Sequence, residues 1–260
     1  MVAKIDRTDE ENVNNFGSKM IIKEYRTNRD VDVYFTEYDW TFKHTVYNEF
    51  KNGNIKCPYE RRVFGIGYLG EGKYKSRENG KKTKCYITWH SMLKRCYGTK
   101  FKEKRPTYID CEVCDEWLCF QNFAEWYYNN YYEVKNERMC LDKDILYKGN
   151  KVYSPNTCIF VPERINTLFV KNDKIRGDYP IGVSYNKRGK KFKVSCSIYD
   201  YKENKKKLKH LGYYDTPNDA FEVYKYYKEK NIKQVADYYK GQIPTILYNG
   251  LYNYEVEITD

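Results

Sequence analysis

The sequence predicts an α+β fold on three observations. Residues 16–73 contain short runs in which apolar and polar residues alternate, the pattern of half-buried strands. Residues 74–172 carry apolar side chains at helical spacing. Beyond residue 176, alternating strands give way to a stretch with strong helix-start signals. A chain of 260 residues has room for two or three such small domains.

Taken in order, residues 1–15 are polar and charged and are expected to form a disordered tail. In residues 16–73, "MIIKEY" reads as a short strand, and in "DVDVYF" Val31, Val33 and Phe35 alternate with polar residues. "GIGYLG" gives Gly65, Gly67 and Gly70 the spacing of a dinucleotide-binding loop, but a polar loop follows where that motif needs a helix. These glycines are therefore expected to make tight turns. In residues 74–172, "ITWHSMLKRCY" places Trp89, Met92, Leu93 and Cys96 on one helical face, and "WLCFQNFAEWYY" does the same for Trp117, Phe120, Phe123 and Tyr127. Trp117, Phe120, Phe123 and Trp126 are expected in a core rather than on a base-stacking platform.

Residues 176–260 have the most explicit pattern. "RGDYPIGV" supplies turn residues, and "SYNKRGKK" reads as a hairpin turning at Lys187, Arg188 and Gly189. In "FKVSCSIY", Phe192, Val194, Cys196 and Ile198 face one side, while Lys191, Lys193, Ser195 and Tyr199 face the other. "KKKLKHLGYY" reads as a third strand. Thr216 can then cap a helix with Pro217 in its first turn, and Asp219 suits the positive end of its dipole. Ala220, Phe221, Tyr224 and Tyr227 give that helix an apolar face to cover the sheet. "IKQVADYY" and "PTILYNGLYNYEVEI" suggest one or two further short helices and a closing strand.

Charge narrows the partners. The net charge is +11, and between residues 181 and 213 ten Lys and Arg stand against two Asp and Glu. Such a surplus favours an anionic partner, nucleic acid above all, and a helix-backed basic sheet can enter the DNA major groove. The blander alternative is a solvated cationic surface. No apolar window is long enough to span a membrane, and no apolar signal core is present, so a cytoplasmic location is expected. Nine cysteines at low density suit a reducing compartment. Cys111 and Cys114 form a CxxC that zinc can use with Cys119, Cys140 or Cys158, but with one CxxC beside an apolar helix, buried free thiols are the expectation. The heavy use of Tyr, Lys, Asn and Ile fits an A/T-rich genome.

"IGVSYNKRGKKFKVSCSIYD" with "KHLGYYDTPNDAFEVYKYYKE" resembles the plant ethylene-response-factor (Apetala-type) DNA-binding domain, through Gly182-Val183, the basic hairpin, Leu211-Gly212, Thr216 and Ala220. The resemblance implies a three-stranded sheet packed on a helix, with the sheet reading double-stranded DNA. The residues expected at that contact are Tyr185, Lys187, Arg188, Lys190, Lys191, Lys193, Lys207 and Lys209. Arg188 and lysines stand where the family uses arginines and tryptophans.

The middle block is similar to bacteriophage HNH homing endonucleases, to which domains of that type are also found fused. "TWHSMLKRCY", "CEVCDEWLCFQNFAEWYY", "LDKDI", "YSPNTC" and "RIN" occur in the order seen in that family. The resemblance implies a ββα finger around one divalent ion, magnesium, held by oxygen ligands at Asp142 and Asn166. The middle Asn of the motif falls at Thr157, one position after Asn156, and Lys143 stands where the family has its general-base histidine. Lys143 can act as that base if its pKa falls by about three units, or it can hold the scissile phosphate. His90 is an alternative base. Three readings follow: an endonuclease that nicks or cleaves DNA, a DNA-binding regulator of the same lineage without cleavage, and an anti-defence module that binds a host protein.

Overall fold

The computed structural model describes residues 5–169, 178–200 and 205–258. The first four residues of the expected tail, and the last residues of the middle block, lie outside that range. The chain mixes helices with sheets that are mostly antiparallel, an α+β fold. It divides into two compact units, residues 1–130 with 151–156, and residues 131–150 with 157–260. The expected middle block is thus split between them. Among the described residues no helix is long and apolar enough to cross a membrane.

The first unit opens with a four-stranded antiparallel sheet in the order β1 (Glu11–Val13), β2 (Lys19–Thr27), β3 (Asp30–Phe35), β4 (Trp40–Thr45). Val31, Val33 and Phe35 turn to the core as their alternation predicts, joined by Met20, Ile22 and Phe50 of helix α1 (Tyr47–Lys51). Glu11–Val13 falls within the stretch expected to be disordered. It is ordered by backbone pairing with β2, which needs no apolar side chains, and by buried Asn14. The Asn14 amide Nδ2 donates to the Ile55 carbonyl and the Glu60 carboxylate, and its Oδ1 accepts from the Phe16 and Ser18 N–H groups.

A two-strand ribbon, β5 (Arg77–Glu78) and β6 (Lys81–Lys82), leads into α2 (Lys84–Tyr97). Thr83 caps α2 by accepting from the Tyr86 N–H at 3.2 Å. The predicted face of α2 is fully buried at Trp89, Met92, Leu93 and Cys96. After α3 (Thr99–Lys104) and β7 (Glu112–Val113) comes α4 (Phe120–Asn130), which buries Phe120, Phe123, Ala124 and Tyr127. Trp117 is buried too, packed at 5.1 Å on the Phe123 ring, as a core assignment requires. Gly67 shows why glycine is needed in "GIGYLG": a Cβ there would sit 2.4 Å from Leu93 Cδ1 and 3.1 Å from the Trp89 ring. Gly65 and Gly70 adopt positive φ, as tight turns demand.

The second unit contains a hairpin of β8 (Met139–Asp142) and β10 (Ile159–Pro162), in which Asp142 faces Ile159 and Met139 faces Pro162. Strand β9 (Val152–Tyr153), between them in sequence, pairs with β7 in the first unit's own fold. Helix α5 (Glu163–Asn166) follows β10 directly. A second antiparallel sheet has the order β11 (Val183–Asn186), β12 (Lys191–Asp200), β13 (Lys205–Tyr214). Helix α6 (Pro217–Tyr238) covers one face of it, and α7 (Thr245–Tyr252) packs on α6. One core joins these parts: Val161 and Ile165 from the hairpin and α5, Val194 and Cys196 from β12, Ala220, Ile232 and Val235 from α6, Leu247 and Leu251 from α7. Each fully buried Ile, Leu or Val contributes roughly 1.5–3 kcal/mol. The expected closing strand does not form. Val256 is buried, and its N–H donates to Glu229 Oε1 at 2.9 Å rather than to a neighbouring strand.

Candidate functional site

The hairpin, its following helix and the basic sheet carry the residues singled out by sequence. Asp142 closes β8 with its carboxylate turned back on the chain. Its Oδ1 accepts the N–H groups of Asp144 at 2.9 Å and Ile145 at 2.8 Å, which ends the strand in a side-chain turn. Burial, and next the neighbouring Asp144 carboxylate, push the Asp142 carboxyl up to about 6, while the two backbone bonds pull it back. Asp144, which the sequence did not single out, is thus part of the same acidic pair. A pair of adjoining carboxylates at a strand end is a hard-oxygen donor set of the kind magnesium uses.

Lys143 is turned to a different task. It is buried, and its ammonium donates to the Asn150 carbonyl at 2.9 Å and pairs with Asp144 Oδ2 at 3.2 Å. Asn150 returns the bond, its Nδ2 donating to the Lys143 carbonyl at 2.7 Å. Reciprocal bonds therefore close the loop from Lys143 to Asn150. In this geometry Lys143 donates, whereas a general base must present a lone pair to water. Asn166 closes α5, and its carbonyl accepts from the Phe169 N–H at 3.3 Å. Two ion pairs fix α5: Arg164 to Glu137 at 3.0 Å and Arg138 to Glu163 at 3.4 Å. Thr157, expected at the middle-Asn position, lies in the turn before β10. His90 sits in the first unit with its ring 5.0 Å from that of Phe64.

The sheet divides the expected DNA-contacting residues between its two faces. Phe192, Val194, Cys196 and Ile198 pack toward α6, as alternation predicts. Lys193 faces the other side, opposite half-exposed Tyr213, with Lys191 next along the strand and ion-paired to Asp215 at 3.1 Å. Lys187, Arg188 and Lys190 occupy the turn between β11 and β12. There Asn186 Oδ1 accepts the Arg188 N–H, and Lys190 takes a positive φ of 50°. Tyr185 pairs with Phe192 and so belongs to the helix side, its ring 5.2 Å from Phe192 and still partly exposed.

A bulge moves the remaining two. Val194 faces Gly212, but Ser195 faces His210, leaving Leu211 as an extra residue on β13. From there to Lys207 the side chains change face. Lys209 is opposite inward Cys196 and reaches the Tyr227 ring of α6 at 5.0 Å, while Lys207 is opposite inward Ile198. The same shift brings His210 and Leu208 to the outer face, with Leu208 75% exposed. His210 packs against Tyr213 at 4.8 Å. Strict alternation misses these residues, and the less tidy pattern of "KKKLKHLGYY" is the one sequence signal that could have revealed the bulge.

Among the described residues the cysteines at 111, 114, 119, 140 and 158 are not joined in disulfides. Cys111 donates to the Thr107 carbonyl and Cys119 to the Leu69 carbonyl. Among the described residues, the His, Cys, Asp and Glu side chains that converge as three or more are Asp30, Asp32 and His44. A guanidinium already fills that convergence: Arg26 contacts Asp30 and both oxygens of Asp32 at 3.1 Å, and its bond to Asp32 holds that carboxyl down at about 2. No family model, no curated protein and no solved structure matches the chain.

Proposed function

We propose that this chain binds double-stranded DNA through the outer face of the β11–β13 sheet, and that its β8–β10–α5 element is an HNH-type ββα finger serving as a scaffold rather than a nuclease. The observation that carries the reading is a helix-backed sheet whose open face presents Lys191, Lys193, His210, Tyr213 and Leu208 beside a turn bearing Lys187, Arg188 and Lys190. Lysines and arginine supply sequence-independent attraction to phosphates, and the histidine, tyrosine and leucine add groups able to touch base edges and thymine methyls. The scaffold role rests on Lys143, whose ammonium is committed to Asn150 and Asp144. Six to eight cationic contacts give a log–log salt dependence with a slope of roughly −5 to −7. Replacing Arg188 and Lys193 together with alanine lowers affinity and flattens that slope by about 2. Unchanged affinity refutes the sheet-face assignment.

A second reading has its own support. The hairpin and helix occur in the HNH order, and the Asp142–Asp144 pair, with Asn166, offers oxygen ligands for magnesium, which would steady charge on a reacting phosphate. Supercoiled plasmid incubated with magnesium, then manganese, separates the two readings. Plasmid that stays intact while DNA binding persists supports the scaffold. Nicking that Asp142→Ala abolishes replaces it with a nuclease.

A further inference from the structure

A cleft of about 480 Å³ opens within the first unit, lined in part by His90. Ligand pockets commonly have volumes of about 300–1,000 Å³. Three features of its lining constrain what can occupy it. The walls are flat and aromatic: Phe64, Tyr86 and His90 lie together, with His90 5.0 Å from the Phe64 ring and 5.9 Å from the Tyr86 ring. Burial, then Lys82 and Lys94, lower the His90 pKa from its ordinary value, which favours the uncharged ring. The mouth is cationic: Lys56 and Arg62 both lie over the Phe16 ring, at 5.5 and 4.8 Å. The floor holds a carboxylate, Glu60, which is 3% exposed. Its Oε1 accepts from the Asn14 amide, while its Oε2 makes no hydrogen bond and has the Arg62 Nε as an ion-pair neighbour at 3.3 Å.

Each feature excludes a class of ligand. The cations at the mouth repel an ammonium or methylated lysine, which aromatic walls alone would accept. The buried carboxylate repels a lone phosphate or a fatty acid and calls for N–H donors. Aromatic walls favour a planar ring. A nucleotide meets all three conditions. Guanine meets them best, because its N1–H and N2–H donors lie side by side on one edge and match a carboxylate. Uracil flanks its single N–H with two carbonyl oxygens that face the carboxylate unfavourably.

We infer that this cleft is a guanine-nucleotide site, with the base against the cluster of Phe64, Tyr86 and His90, its N–H edge on Glu60 beside the paired Arg62, and its phosphate at Lys56. The nucleotide is either free or a base presented by a single strand, extruded from its stack. This site does not depend on the DNA-binding sheet of the second unit.

The test is calorimetric titration of the full chain with GMP, UMP and inorganic phosphate. GMP binds, UMP binds at least roughly tenfold more weakly, and phosphate alone is weaker than GMP. Lys56→Glu, a surface change that leaves the fold intact, weakens GMP at least about tenfold. Glu60→Gln removes the preference for GMP over UMP, provided circular dichroism shows that it folds. Lys56→Glu carries the test if it does not. Repeating the titration with a short guanine-containing single strand, in the Arg188→Ala/Lys193→Ala background, separates the sources. Tighter binding of the strand than of GMP points to a base presented by nucleic acid, and equal or weaker binding points to the free nucleotide. No binding of either probe at millimolar concentration, equal affinity for GMP and UMP, or unchanged GMP affinity in Lys56→Glu overturns the site.

Discussion

Lys143→Met distinguishes a structural lysine from a catalytic one. Methionine keeps the length and apolar stem of the side chain and removes the ammonium. Three terms set the cost. The charged bond to the Asn150 carbonyl, at 2.9 Å, contributes about 1.5–3 kcal/mol. The ion pair to Asp144 adds little, at most about 1 kcal/mol, because Asp144 is half exposed. Relief from burying a charge offsets part of both. The net expectation is a loss of about 2 kcal/mol, equivalent to roughly 4–8 °C in melting temperature for a chain of this size. All four tryptophans, Trp40, Trp89, Trp117 and Trp126, lie in the first unit, and the 22-residue helix α6 lies in the second. Far-UV circular dichroism during urea unfolding therefore includes the second unit, while tryptophan fluorescence reports the first. The dichroism midpoint should fall in the variant. An unchanged midpoint, together with lost plasmid nicking, would refute the structural assignment and place Lys143 in the chemistry.

Three more outcomes are expected. Gly182 has a φ of +77°, and a Cβ there would lie 2.0 Å from the Tyr224 ring, so Gly182→Ala should destabilise by about 2 kcal/mol or more, with a thermal melt as the check. Thr216 accepts the Asp219 N–H at 3.1 Å at the start of α6, and Thr216→Ala should cost about 1 kcal/mol in urea unfolding. The Asp142 carboxyl is raised in the folded chain, so its contribution to stability is present below the unfolded value near 3.8 and is lost as pH rises through about 6. Asp142→Asn keeps an oxygen for the two N–H bonds and escapes that loss. The urea midpoint of the variant relative to wild type should therefore rise between about pH 4 and about pH 7, and a flat difference would refute the pH linkage.

Much of the secondary structure was legible because it is written in short-range periods. The buried faces of α2 and α4, the Thr216 cap and the inward row on β12 all follow from local spacing. Local spacing fails where long-range pairing decides. Glu11–Val13 looks like a polar tail and becomes a strand because β2 offers it backbone partners. "EVEI" looks like a strand, but its Val256 N–H goes to Glu229 instead.

At the candidate site the sequence determined which residue types are present: a basic hairpin, an acid at a strand end, a lysine directly after that acid, and Gly182-Val183 at the start of the sheet. Only the tertiary structure decided what each does. The ring of Tyr224 explains Gly182, because no Cβ fits beneath it. The bulge at Leu211 decides which lysines face outward, because a side-chain period of two reverses wherever one strand gains a residue its partner lacks. Lys143 becomes a clamp because its loop brings the Asn150 carbonyl back to its ammonium, and closure over that distance is set by the fold of the loop rather than by any pattern in its residues.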